Sequence, residues 1–461
     1  MIISYSILFR YAFPKKPFKK TQSLFSTKRK LCFTEVKPLF TQNGASPLFT
    51  NPTILCIFAA KIKQALFMKQ TILYILIPFY LLFLPYGQVK ANKDSIRVSL
   101  LTCAPGEEIY SLFGHTAIRY ENPAQGIDIV FNYGIFSFNV PNFVLRFSLG
   151  ETDYRLGASD YDSFVVEYTS DNRNVWQQNL NLNDEEKAYL FNLLETNYHP
   201  QNRIYRYNFF YDNCATRPRD KIEECITGKV IYPKDPRDGS RSFRDIVHQY
   251  CKGHPWSRFG IDLCIGSEAD RPITQRQMMF SPFYLMNFFA NAKIDHDGQQ
   301  RPLVISTEKI VDVTPDMNES SWFPTPLQCT LLVFILTAAV TIYGIRKKKG
   351  LWGFDLVLFG IAGLAGCILA FLALFSAHPA VSSNYLLFVF HPGQLLFLPY
   401  IIYCIRKRKK CWYMTLNAIV LTLFIVLFPL IPQRIDFAVV PLALSLLIRS
   451  VSNMILNYKK K

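Results

Sequence analysis

Five apolar stretches in the last third of the chain limit its fold more than any other feature. Residues 327–345, 353–375, 385–405, 413–430 and 437–456 each hold 18 to 23 residues with few charges. A helix of that length crosses a hydrocarbon core of about 30 Å. Backbone groups in lipid must be satisfied within the segment, so the stretches predict an all-α membrane domain of about five helices over residues 326–461. The connecting loops set its direction. Residues 346–349, 406–410 and 459–461 are dense in Lys and Arg, whereas 376–384 and 432–436 carry a single arginine, Arg434. Basic loops stay in the cytoplasm. The first membrane helix then enters from outside, and the residues before it must have been exported.

A second signal agrees. Met68-Lys69-Gln70 opens an apolar run over 71–86, followed by small residues at Val89 and Ala91. That is the layout of a secretory signal sequence, and it assigns 68–91 to the signal. A signal works at a nascent N-terminus, so Met68 is the expected start and residues 1–67 a gene-model extension. The net charge of +17, from 51 basic and 34 acidic residues, fits this division. Residues 1–67 alone hold eleven Lys or Arg and one acid, Glu35. The rest of the excess flanks apolar stretches. The charge therefore reads as topology and offers no surface for nucleic acid.

Residues 92–325 have globular composition and form the expected exported domain, of α+β class. Alternating text predicts strands over 96–101, 115–120 and 127–132, with a hairpin turn at 121–126. Residues 183–197 predict an amphipathic helix capped by Asn183 or Asp184. Residues 204–210 read as extended, and a turn at Asp212-Asn213 leads into a helix near 217–226 closed by Gly228. The Arg-, Pro- and Gly-rich text over 233–279 reads as a loop-heavy lid or linker approaching the membrane.

Two short words in this domain carry chemistry. Phe113-Gly114-His115-Thr116-Ala117 begins a strand, and Tyr211-Asp212-Asn213-Cys214-Ala215-Thr216 opens a helix. Unpaired N–H groups at a helix start stabilise a thiolate and can bind an oxyanion, so Cys214 is the candidate nucleophile. His115 is the candidate base, because His199, His248 and His254 fall in loop-like text and His296 near a mobile stretch. Asn132 or Asp128, on the following strand, could orient the imidazole, with Asn132 preferred. Pro218 sets a condition: the helix must start at about Thr216 to avoid a clash with the Cys214 carbonyl. Cys103, at a strand end, competes as nucleophile from a poorer thiolate site. Cys225, Cys251 and Cys264 could be structural or paired. Asn213 and Tyr110 are candidates for oxyanion or positioning contacts. In the membrane half, His378 and Asn384 lie near the interrupted third stretch, where His391-Pro392-Gly393 and Gln394 also sit, and are candidate site residues there. The eleven cysteines form no CxxC pair and no zinc-like cluster with His, so no metal site is expected.

The order of a strand histidine followed by an Asn-Cys word at a helix start resembles the permuted NlpC/P60-like branch of papain-like thiol enzymes, which includes lecithin–retinol acyltransferase relatives. Within that branch, the run LTCAPGEEIYSLFGHT over 101–116, the run NFFYDNCATRPRD over 208–220 and the trailing membrane helices closely resemble the Lnb family of bacterial lipoprotein N-acyltransferases. The resemblance covers about residues 95–456. It implies that Cys214 and His115 occupy the family's thiol and imidazole positions; it defines the third polar residue only weakly.

The thiol–imidazole reading of the residues is met by the resemblance, which implies acyl transfer without a metal or organic cofactor. The expected donor is a phospholipid and the acceptor a diacylated lipoprotein, both in the same membrane, with Phe136, Phe138, Phe143 and Phe147 as candidates to line an acyl entry. The expected location is the bacterial inner membrane with the N-terminal domain in the periplasm. Two other readings use the same residues: a cell-envelope thiol peptidase or amidase, and a non-catalytic assembly module in which Cys214 is a core residue.

Overall fold

The structure, a computed structural model, describes residues 95–314 and 323–458. The expected N-terminal extension and signal sequence lie outside the described residues, as do the last three lysines.

The first alternating runs form three consecutive antiparallel strands: β1 (Arg97–Cys103), β2 (His115–Asn122) and β3 (Ile127–Ile135). The predicted 121–126 turn is a short 3-10 turn closed by Gly126 in the left-handed region. Further strands β4 (Asp153–Asp160), β5 (Val175–Leu180), β6 (Ile204–Arg206) and β7 (Val304–Val311) complete an antiparallel sheet in the order β7-β5-β1-β2-β3-β4-β6. The helices that accompany it include α1 (Phe143–Leu149), α2 (Tyr161–Ser170), α3 (Asp184–Tyr198), α4 (Thr216–Cys225), α5 (Phe243–Tyr250), α6 (Pro255–Cys264) and α7 (Pro282–Asn291).

Both faces of the central strands are covered. On one, Phe164 and Tyr168 of α2 pack on Leu101, Ala117 and Val130. On the other, Leu190 and Leu194 of α3, Ile222 of α4 and Leu285 of α7 join Leu100, Ile118 and Phe131. Burial of such side chains contributes about 1.5–3 kcal/mol each. α3 starts where its cap predicts: Asn183 accepts the Glu186 N–H and the Glu186 carboxylate accepts the Asn183 N–H.

Three expectations need correction. Extended chain after Ile204 lasts only through Arg206, because the Asn208 side chain accepts the N–H groups of Phe210 and Tyr211 and turns the backbone. Gly228 does not close α4, which ends at Cys225; it packs where a Cβ would lie 2.2 Å from the Asp295 carbonyl oxygen. The 233–279 text is no loop-heavy lid. It folds into α5 and α6, pinned by a fully buried Arg244 that donates to Asp262, Asp270 and the Ile265 and Gly266 carbonyls. Charge-assisted bonds replace the apolar periodicity that the sequence lacks there.

The membrane half contains α8 (Pro326–Lys347), α9 (Trp352–Phe375), α10 (Leu398–Lys407), α11 (Trp412–Leu427) and α12 (Val439–Tyr458). Among the described residues four helices are long and apolar enough to cross a membrane. The third apolar stretch is broken into a 3-10 turn at Tyr385–Phe388, one turn at Gly393–Leu396, and α10. Pro392 removes a backbone donor and Pro399 opens α10, so no continuous helix can form. The broken backbone lies directly on α9, where a Cβ at Gly366 would come within 2.5 Å of His391 backbone atoms. The buried charge in this half is paired. Arg449 is buried and meets Asp355 at 2.6 and 2.8 Å, with Thr341 and Asn453 alongside.

The outer loops bind the exported domain. Gly266 N–H donates to the Ala380 carbonyl at 2.7 Å, and Arg434 reaches Asp245, Asp270 and Ser242. The sheet is thereby held on the membrane domain at its outer side.

Candidate active site

Gly114 fixes the entry to β2. Its φ is +77°, and a Cβ there would sit 2.6 Å from the Cys103 carbonyl oxygen. Only glycine fits, and the chain then turns into the strand with His115 as its first residue. The pairing of Ala117 with Asn132 sets Asn132 diagonally across from His115 on the same face. The His115 Nε2 lies 3.1 Å from Asn132 Oδ1. An amide oxygen only accepts, so Nε2 carries the proton and Nδ1 keeps its lone pair.

Asn213 builds the other half. Its Oδ1 accepts the N–H groups of Ala215 and Thr216, and its Nδ2 donates to the Phe209 and Phe280 carbonyls, each at 2.8 or 2.9 Å. The Asn213 N–H donates to Thr216 Oγ1 at 2.8 Å. This arrangement caps α4 and fixes Cys214 just before it. The helix starts at Thr216, so Pro218 falls in the first turn without a clash. Both N–H groups of the Asn213 side chain are taken, one within the turn by Phe209 and one by the distant Phe280 carbonyl, so neither is left to face an oxyanion.

Between the two words lies a bulge. The β3–β4 register shifts between Asn132 and Ile135, and Gly134 takes φ +94°. A Cβ on Gly134 would lie 3.6 Å from Cys214 Cβ, 3.7 Å from Tyr207 and 4.0 Å from the Tyr205 hydroxyl. The bulge sets the Gly134 backbone beside Cys214 with no side chain of its own between them.

Electrostatics follow from this enclosure. Burial pushes the Cys214 thiol up to about 11, held back by the N–H groups of Thr116 and of Cys214 itself and by Arg173. The Thr116 N–H belongs to the residue directly after His115, so the sulfur lies against the start of β2. Burial pulls the His115 imidazole down to about 4, against its bond to Asn132. Both groups are therefore neutral at rest, the thiol against the N–H groups of Thr116 and Cys214 and the imidazole against Asn132. A thiolate formed at Cys214 would be faced by two backbone N–H groups, and an imidazolium at His115 would keep its bond to Asn132.

The remaining candidates separate. Asp128 is engaged by Arg119 at 2.7 and 2.8 Å and does not hold the His115 ring. Cys103 is fully buried, with its thiol pushed up to about 12. Cys225, Cys251 and Cys264 are free. His248 lies on α5, contrary to its loop-like text, and is tied to Asp262. Tyr110, 58% exposed, packs edge-on against Phe136 and Phe138. Asn384 donates to the Leu263 carbonyl and accepts from Gln433, so it serves the seam between domains. His378 packs on Phe147 of α1. Neither membrane-half residue joins Cys214 and His115. Among the described residues no three His, Cys, Asp or Glu side chains could hold a metal ion.

Three residues near the sulfur escaped the sequence reading. Arg173 acts on both Cys214 and His115 and is anchored by the Ala104 carbonyl at 2.9 Å. Tyr205 presents a buried hydroxyl with no hydrogen-bond partner. Gly134 supplies the bulge; a lone glycine inside a strand was its available signal.

Two family models match the chain. One, described as the Lnb N-terminal periplasmic domain, covers residues 83–236, and the other, described as the Lnb transmembrane domain, covers 318–461. No curated protein and no solved structure matches.

Proposed function

Since the chain belongs to the Lnb family through both of its halves, we propose that it is a lipoprotein N-acyltransferase of the bacterial inner membrane, with Cys214 as nucleophile and His115 as base. The observation that carries this reading is the Cys214 sulfur set at the start of α4, between the N–H groups of Thr116 and Cys214, with the neighbouring His115 ring oriented by Asn132.

Cys214 passes its proton to His115 Nδ1 and attacks the ester carbonyl of a phospholipid. The negative charge on that oxygen falls to the two N–H groups beside the sulfur. The C–O bond breaks, the imidazolium returns its proton to the leaving alcohol, and a lysophospholipid departs. The α-amine of a diacylglyceryl-cysteine lipoprotein then attacks the thioester. Its proton passes through His115 to the sulfur as the C–S bond breaks, and the product is the N-acylated lipoprotein. Both substrates are membrane-bound, so holding the thiol domain on the membrane domain raises their effective concentration.

The experiment is mass spectrometry of lipoprotein N-terminal peptides from cells with the intact chain, without it, and with Cys214→Ser. The reading expects triacylated peptides only with the intact chain. Unchanged triacylation with Cys214→Ser overturns it. Release of free fatty acid or cleaved wall peptide in its place assigns the same thiol to a hydrolase.

A further inference from the structure

We propose that α1 is a membrane-inserted entry for the acyl donor: the exposed face of Phe143–Leu149, with the loop before it, dips into the outer face of the bilayer and passes one phospholipid chain to the thiol. This rests on the acyltransferase reading and names the route of its substrate.

The position of α1 is fixed by the membrane domain. The Ala377 N–H, just past the outer end of α9, donates to the Leu149 carbonyl at 2.9 Å. A Cβ at Gly150 would lie 3.2 Å from Ala377 Cβ, and Phe147 packs on His378 with ring centroids 6.2 Å apart. α1 therefore lies at the level where α9 leaves the bilayer. It is apolar where it should be wetted: Val144 and Leu145 are about half exposed, and Phe138, Val140 and Phe147 are exposed beside them. A soluble domain seldom leaves such a contiguous patch bare. The patch continues the lipid-facing surface of the spans through Leu374 and Phe375, both exposed at the end of α9. Short amphipathic helices bind membranes through such a face. The continuity identifies the occupant as phospholipid acyl chain.

A row of rings then leads inward. Phe147 stacks on Phe143, Phe143 on Phe136, and Phe136 packs on Tyr154 at 5.1 Å. Tyr154 stacks on Tyr207 at 4.3 Å, and Tyr207 borders the Gly134 bulge that faces Cys214. An acyl chain lying along these rings stays in apolar contact from the leaflet to the sulfur. The ester group then arrives beside the N–H groups, while the headgroup remains in the interface.

The test uses the full chain in phosphatidylethanolamine vesicles, with alkyne-tagged donor lipid and a benzoylphenylalanine at Leu145. Crosslinking to the tagged lipid is expected, and its absence overturns the proposal whatever the enzyme's activity. In a second arm, Val144→Lys with Leu145→Lys is compared with the unaltered chain for acylation of Cys214. The donors are vesicle phospholipid and a water-soluble short-chain ester. At least a tenfold loss is expected with the vesicle donor and less than a twofold loss with the soluble ester. Equal loss with both donors, or none with either, overturns the entry role. Failure of the unaltered chain to acylate Cys214 from either donor overturns the acyltransferase reading, and the crosslink still reports on insertion.

Discussion

His115 Nε2 lies 3.1 Å from Asn132 Oδ1, across a β2–β3 register in which Ala117 faces Asn132. This bond decides which ring nitrogen is free to take a proton. Asn132→Ala removes it and lets the ring turn, and a general base of this kind contributes about 10²–10⁴-fold to rate. A loss of at least about tenfold in acyl-enzyme formation is expected, with the melting temperature little changed. Single-turnover acylation of Cys214 measures it; unaltered rates would show that the ring needs no holder.

Asn213→Ala tests the turn itself. It strips two N–H groups at the start of α4 of their acceptor and leaves the Phe209 and Phe280 carbonyls without donors. Loss of such a cap costs about 0.5–2 kcal/mol, and orphaned buried groups add about 1–3 kcal/mol. Thermal unfolding should fall by several degrees and acylation with it. Asn213→Asp, which keeps the acceptor, should recover part of both. A variant that acylates normally with a lowered melting point would separate Cys214 placement from the cap.

How much was legible beforehand follows from what each level of sequence can carry. β1, β2 and β3 and the α3 cap were readable because alternation and the Asn183–Glu186 pairing are local. The candidate nucleophile and base are legible as words, Asn-Cys and Gly-His. The bulge at Gly134, the approach of Arg173 and the orphan Tyr205 hydroxyl depend on register and on contacts between distant segments, which no local pattern records. The third apolar stretch reads as a span by composition, but Pro392 and Pro399 deny it a continuous helix. Charges in 233–279 hid a folded region, because its order comes from Arg244 and its partners in place of apolar periodicity.

The pH dependence has a defined sign. The His115 imidazole is held at about 4, below the ordinary value of 6.5. The folded state keeps it neutral while the unfolded chain binds a proton, so its contribution to stability is present above 6.5 and declines as pH falls toward 4. Cys214 runs oppositely. Its thiol is raised to about 11, so its contribution is present below 9 and is lost as pH rises through 11. Acylation rates should be level between about pH 6 and 9 and fall toward pH 4. Iodoacetamide labelling of Cys214 at pH 7 should be slow. Fast labelling at pH 7, lost in His115→Ala, would indicate a resting thiolate–imidazolium pair.

The buried Arg449–Asp355 pair ties α12 to α9, with Thr341 of α8 attached. Removing one partner strands the other charge, at a cost of about 3–5 kcal/mol. Asp355→Ala should reduce the folded yield in detergent, and a joint Asp355→Leu with Arg449→Met should restore much of it. Size-exclusion profiles and thermal melts give the comparison. Equal yields for the single and joint variants would mean that the charges are not mutually dependent.

Intact-mass and peptide analysis of the full chain, reconstituted with phosphatidylethanolamine and no lipoprotein acceptor, bears most directly on the central claim. The account predicts one added acyl chain on the peptide containing Cys214, released by neutral hydroxylamine and missing in His115→Ala. An acyl chain on another residue, or a lipoprotein amine acylated by a Cys214→Ser chain, would contradict it.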